Sequence, residues 1–451
     1  MNDRENKKAL NVLTEITRTP PKRIIDAGNA FLSAFTQYIS KYSSAVIVEE
    51  EFVSKYRAAV IAQEELEEKI ATKTSVFRKK IPFKSVPKSV PNVDPNFISE
   101  DEMFAFSEEI ATVDEKLIVS NIPQIGDTII AERKGIRKNV KLIEVISSGG
   151  EGITYRTDMP NLVAKIYKNG KNNKHKYEKI NLMLTKKIFC KGVCFPIAAA
   201  YNKENEFIGY LMPEAKGKEL QRCVFIPKLL TKEFPNWKKR DTVELCITIL
   251  KKLKYLHDRN IILGDINPNN ILVVSPKEVY FVDTDSFQIE GFPCPVGTTN
   301  FTAPEIQGRK YESFLRTMGH EQFAVATLLF MIMHPGKPPY SVQGGENQSK
   351  NIINMDFPYP LGDESAERAP DGPWRFCWSH LPFTLKEAFY QTFKEGEERS
   401  TEKNRYSSDD WLQMFKDYLE LLENTAFSYN NEMSTELFPM AFKESAKGES
   451  I

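Results

Sequence analysis

LGDINPNN, residues 263–270, lies between a helix-like run ending in YLHD and the strand-like run ILVV. It sets the carboxylate of Asp265 five residues before the carboxamide of Asn270, with Pro268 tightening the chain between them. An acid placed to face a hydroxyl and an amide oxygen placed to hold a hard cation would make this loop a chemical one. What the rest of the chain arranges around it decides the fold.

At 451 residues the chain exceeds one ordinary domain, so two or three domains are expected. Lys plus Arg number 61 and Asp plus Glu number 61, and this balance argues against nucleic acid or a membrane surface as partner. The six cysteines are scattered. The nearest pair, Cys190 and Cys194, has no second pair or close His to complete a zinc site, so reduced and mostly buried thiols are expected. The N-terminus has no apolar signal core and no run of membrane-spanning length occurs, which predicts a cytoplasmic protein.

Residues 1–73 repeat apolar positions at helical intervals in KKALNVLTEIT, RIIDAGNAFLSAFTQYISKYSS and VEEEFVSKYRAAVIAQEELEEKIA, predicting an α-helical N-terminal region. Residues 74–125 read as a basic, proline-dotted linker followed by an acidic segment, SEDEMFAFSEEIATVDEKL, with the character of one more helix. From Gly126 short strands take over in GDTIIAE, KNVKLIEVIS, GITYRT and LVAKIYK, predicting a small antiparallel sheet. Helical periodicity returns in DTVELCITILKKLKYLHD, EQFAVATLLFMIM, TLKEAFYQTF and DDWLQMFKDYLELLEN. Strands first and helices second is an α+β arrangement of two lobes, a small β-rich one over residues 126–214 and a large helical one over 215–425, with a tail at 426–451.

Around LGDINPNN stand five further pieces in order: SSGGEGITY, LVAKIYK, GYLMPEAKG, the strand KEVYFV running into Asp283-Thr284-Asp285, and VGTTNFTAPE. Their order and spacing resemble a eukaryotic-like protein kinase domain over about residues 141–423, most of all the bacterial kinase-like proteins with a GDINPxNIL motif followed by DTDSFQI. The resemblance implies a bilobal protein-kinase-like fold, ATP and Mg2+ as cofactors and a protein substrate, the chain itself included.

Carried over residue by residue, it implies that Gly149, Gly150 and Gly152 form a hairpin over the nucleotide phosphates, with Ser147 at the usual first glycine. Lys165 would reach the α and β phosphates, Ala164 would press on adenine, and Glu178 is the chosen acidic partner of Lys165 on the next helix. Met212 would line the adenine pocket, with the backbone near Glu214 and Ala215 facing the base and Leu272 closing the floor. Asp265 would accept or orient the substrate proton, while Asn270 and Asp283 would ligate magnesium. Thr298 would brace Asp265, Glu305 would pair with Arg405, and Glu321 would take backbone N–H groups of the catalytic loop.

Four departures carry expectations of their own. Gly264 replaces the usual Arg, so no cation beside Asp265 awaits a phosphorylated loop, and a constitutively formed activation segment is expected. Thr284 and Asp285 replace the aromatic and glycine that let many kinases switch off, which shifts regulation toward residues 1–125, whose helices would bind a regulatory partner or self-associate. Asn267 replaces a Lys that neutralises the γ-phosphate. An active serine/threonine kinase is the favoured reading because Lys165, Asp265, Asn270 and Asp283 are all present. Gly264 suggests a small-molecule phosphotransferase, which VGTTNFTAPE opposes; Ser147, Asn267, Thr284 and Asp285 suggest a nucleotide-binding pseudokinase scaffold.

Overall fold

The computed structural model describes residues 115–362, 365–423 and 436–442. The helices expected over 1–73, the linker up to residue 114 and most of the tail lie outside the described residues.

The first seven elements of the described residues build the small lobe: β1 (Thr128–Arg133), β2 (Ile136–Ser148), β3 (Gly152–Thr157), β4 (Leu162–Tyr167), α1 (Lys174–Thr185), β5 (Ala198–Tyr201) and β6 (Phe207–Pro213). The expected antiparallel sheet closes into a barrel in the order β1-β2-β3-β4-β6-β5, sealed where β1 pairs with β5. Closure removes the exposed strand edges that an open sheet would leave. Strand alternation sorts the side chains: Ile129, Val140, Leu142, Ala164, Ile166 and Ala200 form one buried cluster. Val163, Tyr167, Tyr210 and Met212 join the main core of the molecule.

The small lobe begins before residue 126. Lys174 donates its backbone N–H to Glu115 O at 2.9 Å, Leu117 to Asn172 O at 3.2 Å, and Ser120 to Glu206 Oε2 at 2.8 Å. Residues 115–117, the end of the acidic segment, lie outside any helix.

The chain then crosses through β7 (Lys218–Glu219), α2 (Leu220–Cys223) and α3 (Pro227–Glu233) into the large lobe. There α4 (Lys239–His257) is started by Asp241, whose carboxylate accepts the Lys238 N–H at 2.8 Å. The short strands β8 (Ile261–Ile262), β9 (Ile271–Ser275), β10 (Glu278–Phe281) and β11 (Gln288–Ile289) frame the cleft loops. Behind them lies α5 (Met318–Met333), buried on nearly every side because its run FAVATLLFMIM is apolar on all faces but for one Thr. It is followed by α6 (Gln348–Ile353), α7 (Trp374–Ser379), α8 (Phe383–Phe393) and α9 (Ser408–Glu423), which packs along α4. The bilobal α+β fold is thus the one the chain adopts. All six cysteines are unpaired, five of them buried. Among the described residues no helix is long and apolar enough to cross a membrane.

Candidate active site

A cavity of about 960 Å³ opens between the lobes. Its walls take in Gly149, Gly150, Gly152, Lys165, Asp265, Asn270 and Asp283, but not Ala164, Glu178, Met212, Glu214 or Leu272. Residues from the glycine hairpin, β4, the 263–270 loop and the end of β10 therefore meet at one place.

The roof is the β2–β3 hairpin. The Gly149 N–H bonds to Gly152 O at 2.9 Å, and a Cβ on Gly152 would sit 2.7 Å from Ile166 O, so a side chain there would separate β3 from β4. Lys168 Nζ donates to Gly149 O at 2.5 Å and Lys176 Nζ lies 3.1 Å from Glu151 Oε1, which ties the hairpin to the lobe beneath it.

On the floor, Thr298 Oγ1 donates to Asp265 Oδ1 at 3.0 Å. Burial raises the Asp265 carboxyl above its ordinary range, while the Thr298 hydroxyl and the Arg316 charge work against that rise. The loop is suspended from Glu321, wholly buried in α5, whose two oxygens accept the N–H groups of Leu263 at 2.8 Å and Gly264 at 3.0 Å. Glu305 is held by both terminal nitrogens of the buried Arg405, at 2.5 and 2.9 Å. Asn270 is fixed through its backbone, donating to Asn267 O at 2.8 Å and accepting from Val282 N–H at 3.0 Å. Asp283, left-handed at φ 53°, presents a half-exposed carboxylate beside it in the cavity.

Several sequence expectations are corrected. Glu178 is exposed on α1 and does not meet Lys165, because the inward stripe of that helix is Lys179, Ile180 and Met183. The partners of Lys165 come instead from the loop after β10: Nζ lies 2.7 Å from Asp285 Oδ1 and 3.2 Å from Asp283 Oδ1. Burial favours the neutral amine, but the two carboxylates outweigh it and hold Lys165 above its usual value. Burial would likewise raise Asp285, yet Lys165 holds that carboxyl below the ordinary range. Ala164 points away from Lys165 into the barrel, since neighbours on a strand face opposite ways; Val163 shares the Lys165 face and pairs across from Met212. Leu272 packs against the same core as Val163 and Met212. The Glu214 N–H is already given to Asn161 O at 2.8 Å, and its carboxylate binds Arg156.

Gly264 does not leave a gap. At φ 73° it brings the loop so close to its neighbours that a Cβ would lie 2.4 Å from Cys294 Cβ and 2.9 Å from Arg316 Nη1. A cation does stand close by, the buried Arg316, remote in sequence. It is committed to backbone, donating to Cys294 O at 2.8 Å and Val296 O at 2.6 Å. These two bonds tie Arg316 to the chain between Cys294 and Val296. Thr284 is pinned as well, wholly buried with Oγ1 donating to Cys194 O at 2.8 Å. Neither Arg316 nor Lys179 lay within a motif, so sequence spacing could not single them out.

The donors fit the ions and phosphates that the resemblance implies. Asp283 and Asn270 offer hard oxygens of the kind magnesium prefers, and the hairpin offers backbone N–H groups to anionic oxygens. Comparison with known proteins points the same way. Residues 158–414 match the family described as protein kinase domain. Protein kinase YegI of Escherichia coli O157:H7 is 28% identical over 263 residues, covering 55% of this chain and 41% of that protein. Its counterpart in strain K12 is 28% identical over 263 residues, covering 55% and 40%. A putative serine/threonine-protein kinase, R436, of Acanthamoeba polyphaga mimivirus is 29% identical over 119 residues, covering 25% of this chain and 41% of that protein. The chain thus spans about two fifths of the length of the curated relatives it matches.

Proposed function

The chain belongs to the protein kinase domain family, and from that premise we propose that it is an ATP- and magnesium-dependent serine/threonine kinase acting on protein hydroxyls, its own included. The observation that carries the reading is the convergence of Lys165, Asp265, Asn270 and Asp283 on one cavity beneath a glycine hairpin. Asp283 and Asn270 would hold magnesium, which supplies charge neutralisation at the transferring phosphate. Lys165, steadied by Asp285, faces the phosphates from β4. Asp265, oriented by Thr298, takes the proton of the incoming hydroxyl, and the carboxyl raised by burial is the stronger base for it. The Arg316 clamp and the Glu321 suspension keep the loop formed without a phosphorylation event.

The test is transfer of label from γ-labelled ATP with magnesium to a generic protein acceptor and to the chain itself. Label on Ser or Thr that vanishes in Asp265→Asn and Asp283→Ala supports the kinase. ATP binding without transfer to any acceptor overturns it in favour of a nucleotide-binding scaffold, a reading with one observation behind it: Asn267 puts an uncharged amide, 3.5 Å from Thr298 Oγ1, where a cation would assist the γ-phosphate.

A further inference from the structure

Lys165 is the cation on which the phosphate end of the cavity most obviously depends, yet two carboxylates share it. Were Asp283 given over to a metal ion, Asp285 would still neutralise it. The catalytic loop offers no replacement, since Asn267 is uncharged and Arg316 is spent on the Cys294 and Val296 carbonyls. Lys176 is paired with Glu151, and Lys171 lines the cavity as an exposed, solvated side chain. A site for a triphosphate thus lacks a free positive charge at its inner end, unless one comes from elsewhere.

Lys179 is that charge. It stands on the inward stripe of α1, lines the same cavity and is 5% exposed. Its one hydrogen bond among the described residues is a long one, Nζ to Pro293 O at 3.4 Å. Asp285 attracts it from a distance but is bonded to Lys165. An ammonium buried this far without a carboxylate is costly, and burial lowers Lys179 to about 8, so an anion entering the cavity would be met by a cation short of a partner. A helix residue in this position ordinarily serves a fold by packing; a lysine there, directed at an open cavity, does not.

We propose that Lys179 binds the terminal phosphate of the nucleotide, so that α1 contributes a cation to the site while Asp285 supplies the acid for Lys165. This rests on the cavity being a nucleotide site.

The experiment titrates the full chain with ATP and with ADP, each with magnesium, in native protein and in Lys179→Met, which keeps the length of the side chain and removes its charge. The expected result is a loss of at least about tenfold in ATP affinity with ADP affinity within about twofold, as for one charged hydrogen bond to the third phosphate. Thermal melting without nucleotide supplies an independent readout, because removing an unpaired buried charge should raise the Tm of Lys179→Met. An unchanged ATP-to-ADP ratio, or a variant that melts lower or fails to fold, overturns the proposal by showing Lys179 to be structural. Failure of the native chain to bind ATP at all would instead remove the nucleotide site itself, which the native titration alone decides.

Discussion

On the floor of the cleft the contacts stay within one lobe: Thr298 holds Asp265, Glu321 holds the backbone of Leu263 and Gly264, and Arg405 pairs with Glu305. On the roof, Lys165 of β4 is held by acids from the loop after β10, and the inward position of α1 carries a lysine where an acid was expected. The floor keeps the charge pattern the motifs imply; the roof redistributes it. Floor contacts join motifs of a single lobe, even where the partners stand 33 to 100 residues apart. Roof contacts depend on the approach of separate elements, and there an acid can move from one element to another provided the ion pair survives.

The sharpest way to break this comparison is to remove the floor chemistry outright. Asp265→Asn and Asp283→Ala should each lower phosphate transfer by about a thousandfold or more, with the fold intact by circular dichroism. A milder loss, within about tenfold, would mean that the floor groups are scaffold and that transfer, if any, is organised elsewhere.

Next in size is a change that restores the usual residue. Gly264→Arg should destabilise the protein by roughly 3 kcal/mol, because φ 73° disfavours any side chain and the Cβ would strike Cys294. Thermal melting checks it. A variant as stable as the native chain would show that Arg316 and Cys294 yield readily, and the clamp would lose its argument.

These two cases show how much was legible. The two-lobe order, the 263–270 loop, the Glu305–Arg405 pair and the suspension from Glu321 were all readable, since the resemblance to a kinase domain implies each of them. The barrel closure was not, because pairing of β1 with β5 joins runs far apart in sequence. Ala164 was misplaced by one residue, which on a strand reverses the face. Glu178 was chosen for its chemistry, whereas the helix's phase, visible in Lys179, Ile180 and Met183, depends on where α1 begins. Arg316 could not be found from the sequence at all: its role is to occupy space that a glycine vacates, and nothing local records that.

The roof is tested by pairing the acid expected with the acid observed. Asp285→Asn should raise the ATP requirement or lower the rate by about tenfold, the loss of one charge-assisted bond to Lys165. Glu178→Gln, at an exposed position, should be within about twofold of native. Steady-state kinetics on both variants decides the matter, and the reverse ranking would return the role to α1.

The smallest effect concerns the bond from Thr298 to Asp265. The proposed mechanism needs Asp265 without its proton, and burial already raises that carboxyl, so the rate should climb with pH through a midpoint above the roughly 3.9 of a free Asp. Thr298→Val removes a bond that favours the charged form, so the midpoint moves further up and the rate at neutral pH falls only severalfold. Stability follows the same sign. A carboxyl raised in the folded state binds protons more readily there than in the unfolded chain, so its cost is absent below the unfolded value and grows as pH rises through the folded one. Thr298→Val should therefore lose more Tm at pH 7 than at pH 5. An acidic limb that stays in place in the variant would mean that the limb reports another group, and that the floor's most legible bond orients Asp265 without tuning it.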